Sequence, residues 1–177
     1  MKSAKPPVWL RVCVLFLSVM FLMPAAIAKS GPVDFQLVDL QGSPVKLSQH
    51  IGKGQWLLVM FWATDCVICA REKPAISAFH DRHKDNDANV IGVALDGYAN
   101  KAAIERYLGQ HETTFPTLTG EFTAIADSYE QSTEEVFRGT PTYLLYTPDG
   151  ELVGNNPGPL SAGAIERFIK KYDASHQ

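Results

Sequence analysis

Cysteine is scarce in this chain: 177 residues contain three, at positions 13, 66 and 69. That scarcity excludes a small secreted domain stapled by several disulfides, which needs cysteines spread along the sequence. Clusters of Lys and Arg of the kind that bind nucleic acid are also missing. Apart from residues 12–23 there is no long apolar stretch, and that one is shorter than the roughly 20 residues of a membrane-spanning helix. No internal repeat, low-complexity tract or Pro/Gly-rich linker divides the remainder. The five histidines include His80 and His83 at i,i+3, a spacing open to a metal, but Asp81, Arg82 and Lys84 around them suggest a solvated helix end. His50, His111 and His176 form no recognisable set. No metal site is expected.

What is present begins with a distinct N-terminal segment. Lys2, Lys5 and Arg11 precede the apolar run Val12–Met23, and Pro24 and Ala26-Ile27-Ala28 follow it, with no acidic residue before Asp34. This is the three-part layout of a secretory signal peptide over residues 1–28, with an uncleaved N-terminal anchor as the alternative. Cys13 opens the apolar run instead of ending it, unlike a lipoprotein signal. Residues 29–177 then hold 13 basic and 19 acidic side chains, a net charge of about −6, which suits one domain working outside the cytoplasm.

Within that domain, residues 33–47 alternate around Gly42-Ser43 as a β-hairpin does. Residues 56–62 (WLLVMFW) and 89–95 (NVIGVAL) read as strands buried on both faces. A helix is expected from Cys66, with Ile68, Ala75, Ile76, Phe79 and His83 inward and Pro74 kinking it. A second helix runs from a cap at Asn100 to Gly109, and a shorter one covers 122–129. Strands at 142–147 and 151–154 flank a Pro148-Asp149-Gly150 turn, and Ser161 caps a last helix with Ile165, Phe168 and Ile169 inward. Strands alternating with helices and ending in a hairpin imply an α/β domain, a central mixed sheet with helices on both faces.

The chemistry concentrates where a buried strand runs straight into Cys66-Val67-Ile68-Cys69 at a helix start. A helix N-terminus offers unpaired N–H groups and the positive end of a dipole, and both favour a thiolate at Cys66. Two intervening residues put Cys69 within one helical turn, able to attack a mixed disulfide formed at Cys66. Zinc sites also use Cys-x-x-Cys, but no second cysteine pair exists to complete one. A merely structural bridge across so small a loop would constrain the unfolded chain little.

Residues 33–172 resemble the thioredoxin superfamily, specifically the exported thiol–disulfide oxidoreductases of the TlpA/ResA/DsbE type. The resemblance rests on Phe61-Trp62-Ala63, Cys66-x-x-Cys69, Glu72, Pro74, Gly139-Thr140-Pro141, the Pro-Asp-Gly turn and Gly154. It implies a thioredoxin fold with an N-terminal β-hairpin extension. It implies that Pro141 is cis and faces the cysteines, that Thr140 is left free to pair with an extended client segment, and that Trp62 packs beside the dithiol and joins Thr140 and Pro141 in binding the client. Glu72 is implied as the acid that handles the Cys69 proton, since Met60 stands where thioredoxin has a buried Asp; a solvated helix carboxylate is the plainer reading. The stretch 113–120 would frame the client groove. The cofactor is the Cys66–Cys69 disulfide itself, with no other. A protein thiol or disulfide client is expected, as in cytochrome c maturation, with a membrane thiol relay as electron donor, no nucleic acid, and a periplasmic monomer.

Two departures bear on direction. Val67-Ile68 offers Cys66 no side-chain donor, and Asp65 replaces the usual aromatic before it. Both disfavour the thiolate, so a reductase is expected rather than an oxidase or isomerase. A copper carrier of the Sco type would space its cysteines by three residues, and a peroxiredoxin would carry threonine where Ala63 stands.

Overall fold

The computed structural model describes residues 33–176; the signal segment and Cys13 lie outside the described residues. Seven strands form one sheet in the order β2-β1-β5-β4-β3-β6-β7. The strands are β1 (Leu37–Val38), β2 (Pro44–Val45), β3 (Trp56–Trp62), β4 (Ala88–Ala94), β5 (Thr117–Thr119), β6 (Thr142–Tyr146) and β7 (Leu152–Pro157). The helices are α1 (Val67–His83), α2 (Lys101–Gln110), α3 (Phe122–Thr133) and α4 (Ala162–Ser175). β3 runs parallel to β4 and antiparallel to β6, so the sheet is mixed, as expected. The N-terminal hairpin turns where expected: the Asp39 carboxylate accepts from the backbone N–H groups of Gln41 and Ser43 across the Gly42 turn.

Every residue of β3 is buried, and its alternating side chains feed two separate cores. On one face Trp56, Leu58, Met60 and Trp62 pack with Ile76 and Phe79 of α1, Ile104 and Tyr107 of α2, and Ile165 and Ile169 of α4. On the other, Leu57, Val59 and Phe61 meet Phe35, Leu47, Phe137, and Ile125 and Tyr129 of α3. A strand buried on both faces needs helices on both faces, and this arrangement holds the end of β3 rigidly against the start of α1.

Several expected boundaries and faces are corrected. β5, three residues long, lies in the 113–120 stretch, where no strand is expected. It forms because β4 and β1 flank it and supply its ladder bonds. Gly109 does not end α2, which runs one residue further and closes with a His111 N–H bond to the Tyr107 carbonyl. α1 passes through Pro74 without a break in the helix. Its inward stripe is Cys69, Lys73, Ile76, Ser77, Phe79 and His80, whereas Ile68 and Ala75, expected inside, are exposed. His80 is therefore not part of a solvated helix end; its Nδ1 accepts from the Val90 N–H of β4. Phe168, expected inside, is 40 % exposed. Among the described residues no His/Cys/Asp/Glu group has the geometry to hold a metal.

Ile76 sits fully buried between α1 and the sheet. Ile76→Ala should lower the unfolding free energy by about 2–4 kcal/mol, read from the urea midpoint with m unchanged.

Candidate functional site

The end of β3 delivers the chain through Ala63, Thr64 and Asp65 to the first turn of α1. Asp96, two residues beyond β4, fastens this passage: its carboxylate accepts from the Thr64 backbone N–H at 3.2 Å and from the Thr64 hydroxyl. Cys66 then takes the N-cap position of α1, and its Sγ accepts from the Cys69 N–H at 3.1 Å. The two cysteines are joined as a disulfide with Cα atoms 5.2 Å apart. Cys66 is half-buried and Cys69 fully buried, so only the first sulfur can meet a partner. Val67 and Ile68 between them are 64 % and 41 % exposed, an apolar rim around the reactive sulfur.

The Thr140–Pro141 bond is cis, as the resemblance implies. Pro141 is buried and begins β6 one residue later. Thr140 is half-buried, and among the described residues its backbone N–H and C=O have no backbone partner. A groove of about 360 Å³ brings Gly139 and Thr140 together with Ala63, Thr64, Asp65, Leu95, Asp96 and Phe122. The dithiol loop and the segment before Pro141 thus share one surface, extended by Phe122, which is 51 % exposed. The 113–120 stretch does not line this groove; it carries β5 and the buried Phe115 instead.

Glu72 turns away from solvent. One carboxylate oxygen accepts from the Tyr143 hydroxyl at 2.7 Å and the other from the Leu160 N–H at 2.8 Å. It therefore ties α1 to β6 and to the loop before α4, in place of the solvated helix carboxylate that was the plainer reading. Tyr143 pairs with Met60 across the sheet, so this carboxylate sits behind the strand position where thioredoxin carries its acid. The Tyr143 hydroxyl is pushed far above its usual range, first by burial and then by the neighbouring carboxylate.

Trp62 corrects one expectation. It is fully buried, so it offers a client no surface. Its ring is the wall of a chamber behind the dithiol, occupied by Lys73. The Lys73 ammonium nitrogen lies 3.5 Å from the Trp62 ring centroid, with the rings of Phe115 at 5.2 Å and Tyr107 at 5.4 Å. Ser77 anchors the loop that brings Phe115 there, donating to the Glu112 carbonyl and accepting from the Thr114 N–H. Gly92 of β4 underlies the chamber: a Cβ at that position would stand 2.8 Å from the Phe115 ring and 3.1 Å from Trp62 Nε1. Lys73 is 0 % exposed, and its Nζ has no hydrogen-bond partner among the described residues. Burial holds its amine down to a pKa of about 7, while the Trp62 face favours the protonated form by cation–π attraction. The amine is poised between its two states. Lysine reads from sequence as a solvated residue, so Lys73 and its partners were missed. The available signal was the spacing 69, 73, 76, 80, which places it on one helical face with Cys69.

A model of the AhpC/TSA family matches residues 28–154. The chain belongs to the AhpC/TSA family. Thiol-disulfide oxidoreductase ResA of Halalkalibacterium halodurans is 26% identical over 152 residues, covering 85% of this chain and 81% of that protein. The crystal structure of a thioredoxin-family thiol:disulfide interchange protein from Chlorobium tepidum TLS superposes with a TM-score of 0.65 at 20% identity, over 82% of this chain and 98% of that one. The exposed lipoprotein thioredoxin of Streptococcus pneumoniae strain TIGR4 gives 0.61 at 24% identity, over 78% and 98%. The fold is the thioredoxin fold, and the protein is a thiol–disulfide oxidoreductase of the ResA/DsbE type.

Two variants separate the supports of this site. Glu72→Ala leaves the buried Tyr143 hydroxyl and the Leu160 N–H without their acceptor and should cost about 2–3 kcal/mol in urea unfolding; Tyr143→Phe, which removes one neutral donor, should cost about 1. Lys73 gives a pH signature. Between about pH 7 and 10.5 the unfolded chain holds a proton on Lys73 that the folded chain does not. The oxidised protein should therefore gain stability, on the order of 4 kcal/mol, as pH rises through that window, and be least stable below it. Lys73→Met should flatten that rise in urea midpoints recorded across the same range.

Proposed function

We propose that the protein is exported and works in the periplasm as a reductase of protein disulfides. The observation that carries this reading is the pairing of one accessible sulfur with one hidden sulfur beside a free backbone segment. Cys66 attacks a client disulfide from the first turn of α1, where backbone N–H groups favour its thiolate. Thr140 pairs with an extended stretch of the client, held in register by Pro141. Val67, Ile68 and Phe122 give that stretch an apolar bed. Cys69 then resolves the adduct and regenerates the disulfide. Glu72 sits one turn from Cys69 and shapes the field in which its proton leaves. The redox-active disulfide is the only cofactor required.

What surrounds Cys66 supports this direction of electron flow. Among the described residues its Sγ accepts one hydrogen bond, from the Cys69 N–H, and neither the Val67 nor the Ile68 side chain can add another. Asp65 beside it is exposed, so its carboxylate disfavours the thiolate only weakly through water. A thiolate left with so little support makes the dithiol a better electron donor. Export is supported by the layout of residues 1–28, by the acidic remainder of the chain, and by the likeness to the exposed lipoprotein thioredoxin of Streptococcus pneumoniae. A monomer, a client of the cytochrome c maturation kind and a membrane thiol relay as electron source complete the proposal.

The equilibrium potential of the Cys66–Cys69 pair tests it. A value near or below about −270 mV, that of thioredoxin, is expected. A value near −120 mV, in the range of strong oxidants, would overturn the direction. Separately, Cys69→Ser should accumulate a covalent Cys66–client adduct that reducing agent releases, whereas Cys66→Ser should trap none, as read on non-reducing gels.

A further inference from the structure

We propose that Lys73 is the proton acceptor for the buried Cys69 thiol, charging and discharging once in each redox cycle. The inference rests on thiol exchange at Cys66 and Cys69 and is independent of the direction of electron flow.

Lys73 follows Cys69 by one helical turn, a spacing that sets Cβ atoms about 5–6 Å apart on one face. Helical side chains lean toward the N-terminus of their helix. That lean directs the Lys73 stem toward the turn that holds Cys69, and its amine lies 3.5 Å from the ring centroid of Trp62, the last residue of β3. Both residues are 0 % exposed, so water has no direct path to the thiol. Any base that takes its proton must already be inside.

The groups around the amine leave that role open to Lys73 itself. On α1, Cys69 lies one turn before Lys73 and His80 two turns after it, with the His80 Nδ1 occupied as an acceptor of the Val90 N–H. β3 contributes Trp62, α2 contributes Tyr107, and the segment before β5 contributes Phe115. Asp96 acts on Tyr107 from beyond β4, and no carboxylate pairs with Lys73 among the described residues; burial is the only cause of its lowered pKa. Glu72, the alternative acceptor, has one oxygen on Tyr143 and the other on Leu160.

The Cys66 thiolate attacks one sulfur of a client disulfide; the Cys66–client bond forms, the client S–S bond breaks, and the first client thiolate leaves, taking a proton from solvent. The Cys69 S–H bond then breaks, its proton moving to the neutral Lys73 amine. The resulting Cys69 thiolate attacks the Cys66 sulfur, forming the disulfide seen here and breaking the Cys66–client bond. The second client thiolate leaves and takes up a proton equivalent to the one Lys73 returns to solvent. Two electrons pass from the dithiol to the client. The ammonium also stabilises the buried Cys69 thiolate while it exists, since opposite charges attract strongly where water is excluded.

Two measurements on the full chain test this. In the wild-type protein, pH titration of the Lys73 side-chain NMR signals should give a pKa about 1 unit or more higher in the reduced state than in the oxidised one. An unchanged Lys73 titration between the two states would overturn the proposal, and this reading needs no variant to fold. In a Lys73→Met protein, decay of a preformed Cys66 mixed disulfide should slow by about 100-fold near pH 7. That deficit should shrink as pH falls below about 7, where the wild-type amine is already protonated and can accept nothing. A deficit equal at every pH, or none at all, would reduce Lys73 to a packing residue.

Discussion

β3 is the constraint on which the rest of the structure depends. All seven of its residues are buried, so the fold must cover it above and below, and the two layers that do so fix everything near its end. The upper layer includes α1, whose first turn must begin within a few residues of Trp62. The lower layer includes α3 and the segment leading to Pro141. Once both are packed, the cysteines and the free backbone of Thr140 are brought to one rim. Hydrophobic burial along a strand thus places two chemical groups separated by more than seventy positions in sequence.

Polar ties convert that placement into rigidity. Asp96 holds Thr64, and Glu72 holds Tyr143 and Leu160, so the passage into α1 and the back of its first turns are each pinned by one carboxylate. A carboxylate accepting two hydrogen bonds in a partly buried place is expensive to disturb. These ties brace the scaffold on either side of the disulfide.

Much of this was legible in the sequence, for physical reasons that differ from residue to residue. Continuous apolar runs announced β3, β4 and β6, because strands buried on both faces have no polar alternation. Cys66 announced itself by following such a run into a helix start, and Pro141 by a motif. The three-residue β5 was not legible, since its stability comes from neighbours and not from its own pattern. The facing of α1 was misjudged because its buried stripe contains Lys73, Ser77 and His80, polar residues whose burial depends on rings and loops distant in sequence. Gly109 suggested a helix end, yet stacking of His111 on Tyr107, with ring centroids 4.0 Å apart, carries α2 past it. Trp62 was legible as an aromatic near the dithiol, but not that its neighbour would be a cation.

Gly92 shows how narrow the tolerance behind the dithiol is. It lies opposite Met60 in β4, far in sequence from either cysteine, and touches neither. Its missing side chain is nevertheless what leaves room for the Phe115 ring and Trp62 Nε1, which would stand 2.8 Å and 3.1 Å from a Cβ there. Those rings help to bury the amine, and burial is what lowers its proton affinity. A single hydrogen in place of a methyl group, on a strand that carries no reactive side chain, therefore acts as a tuning element for the acid–base chemistry of the pocket.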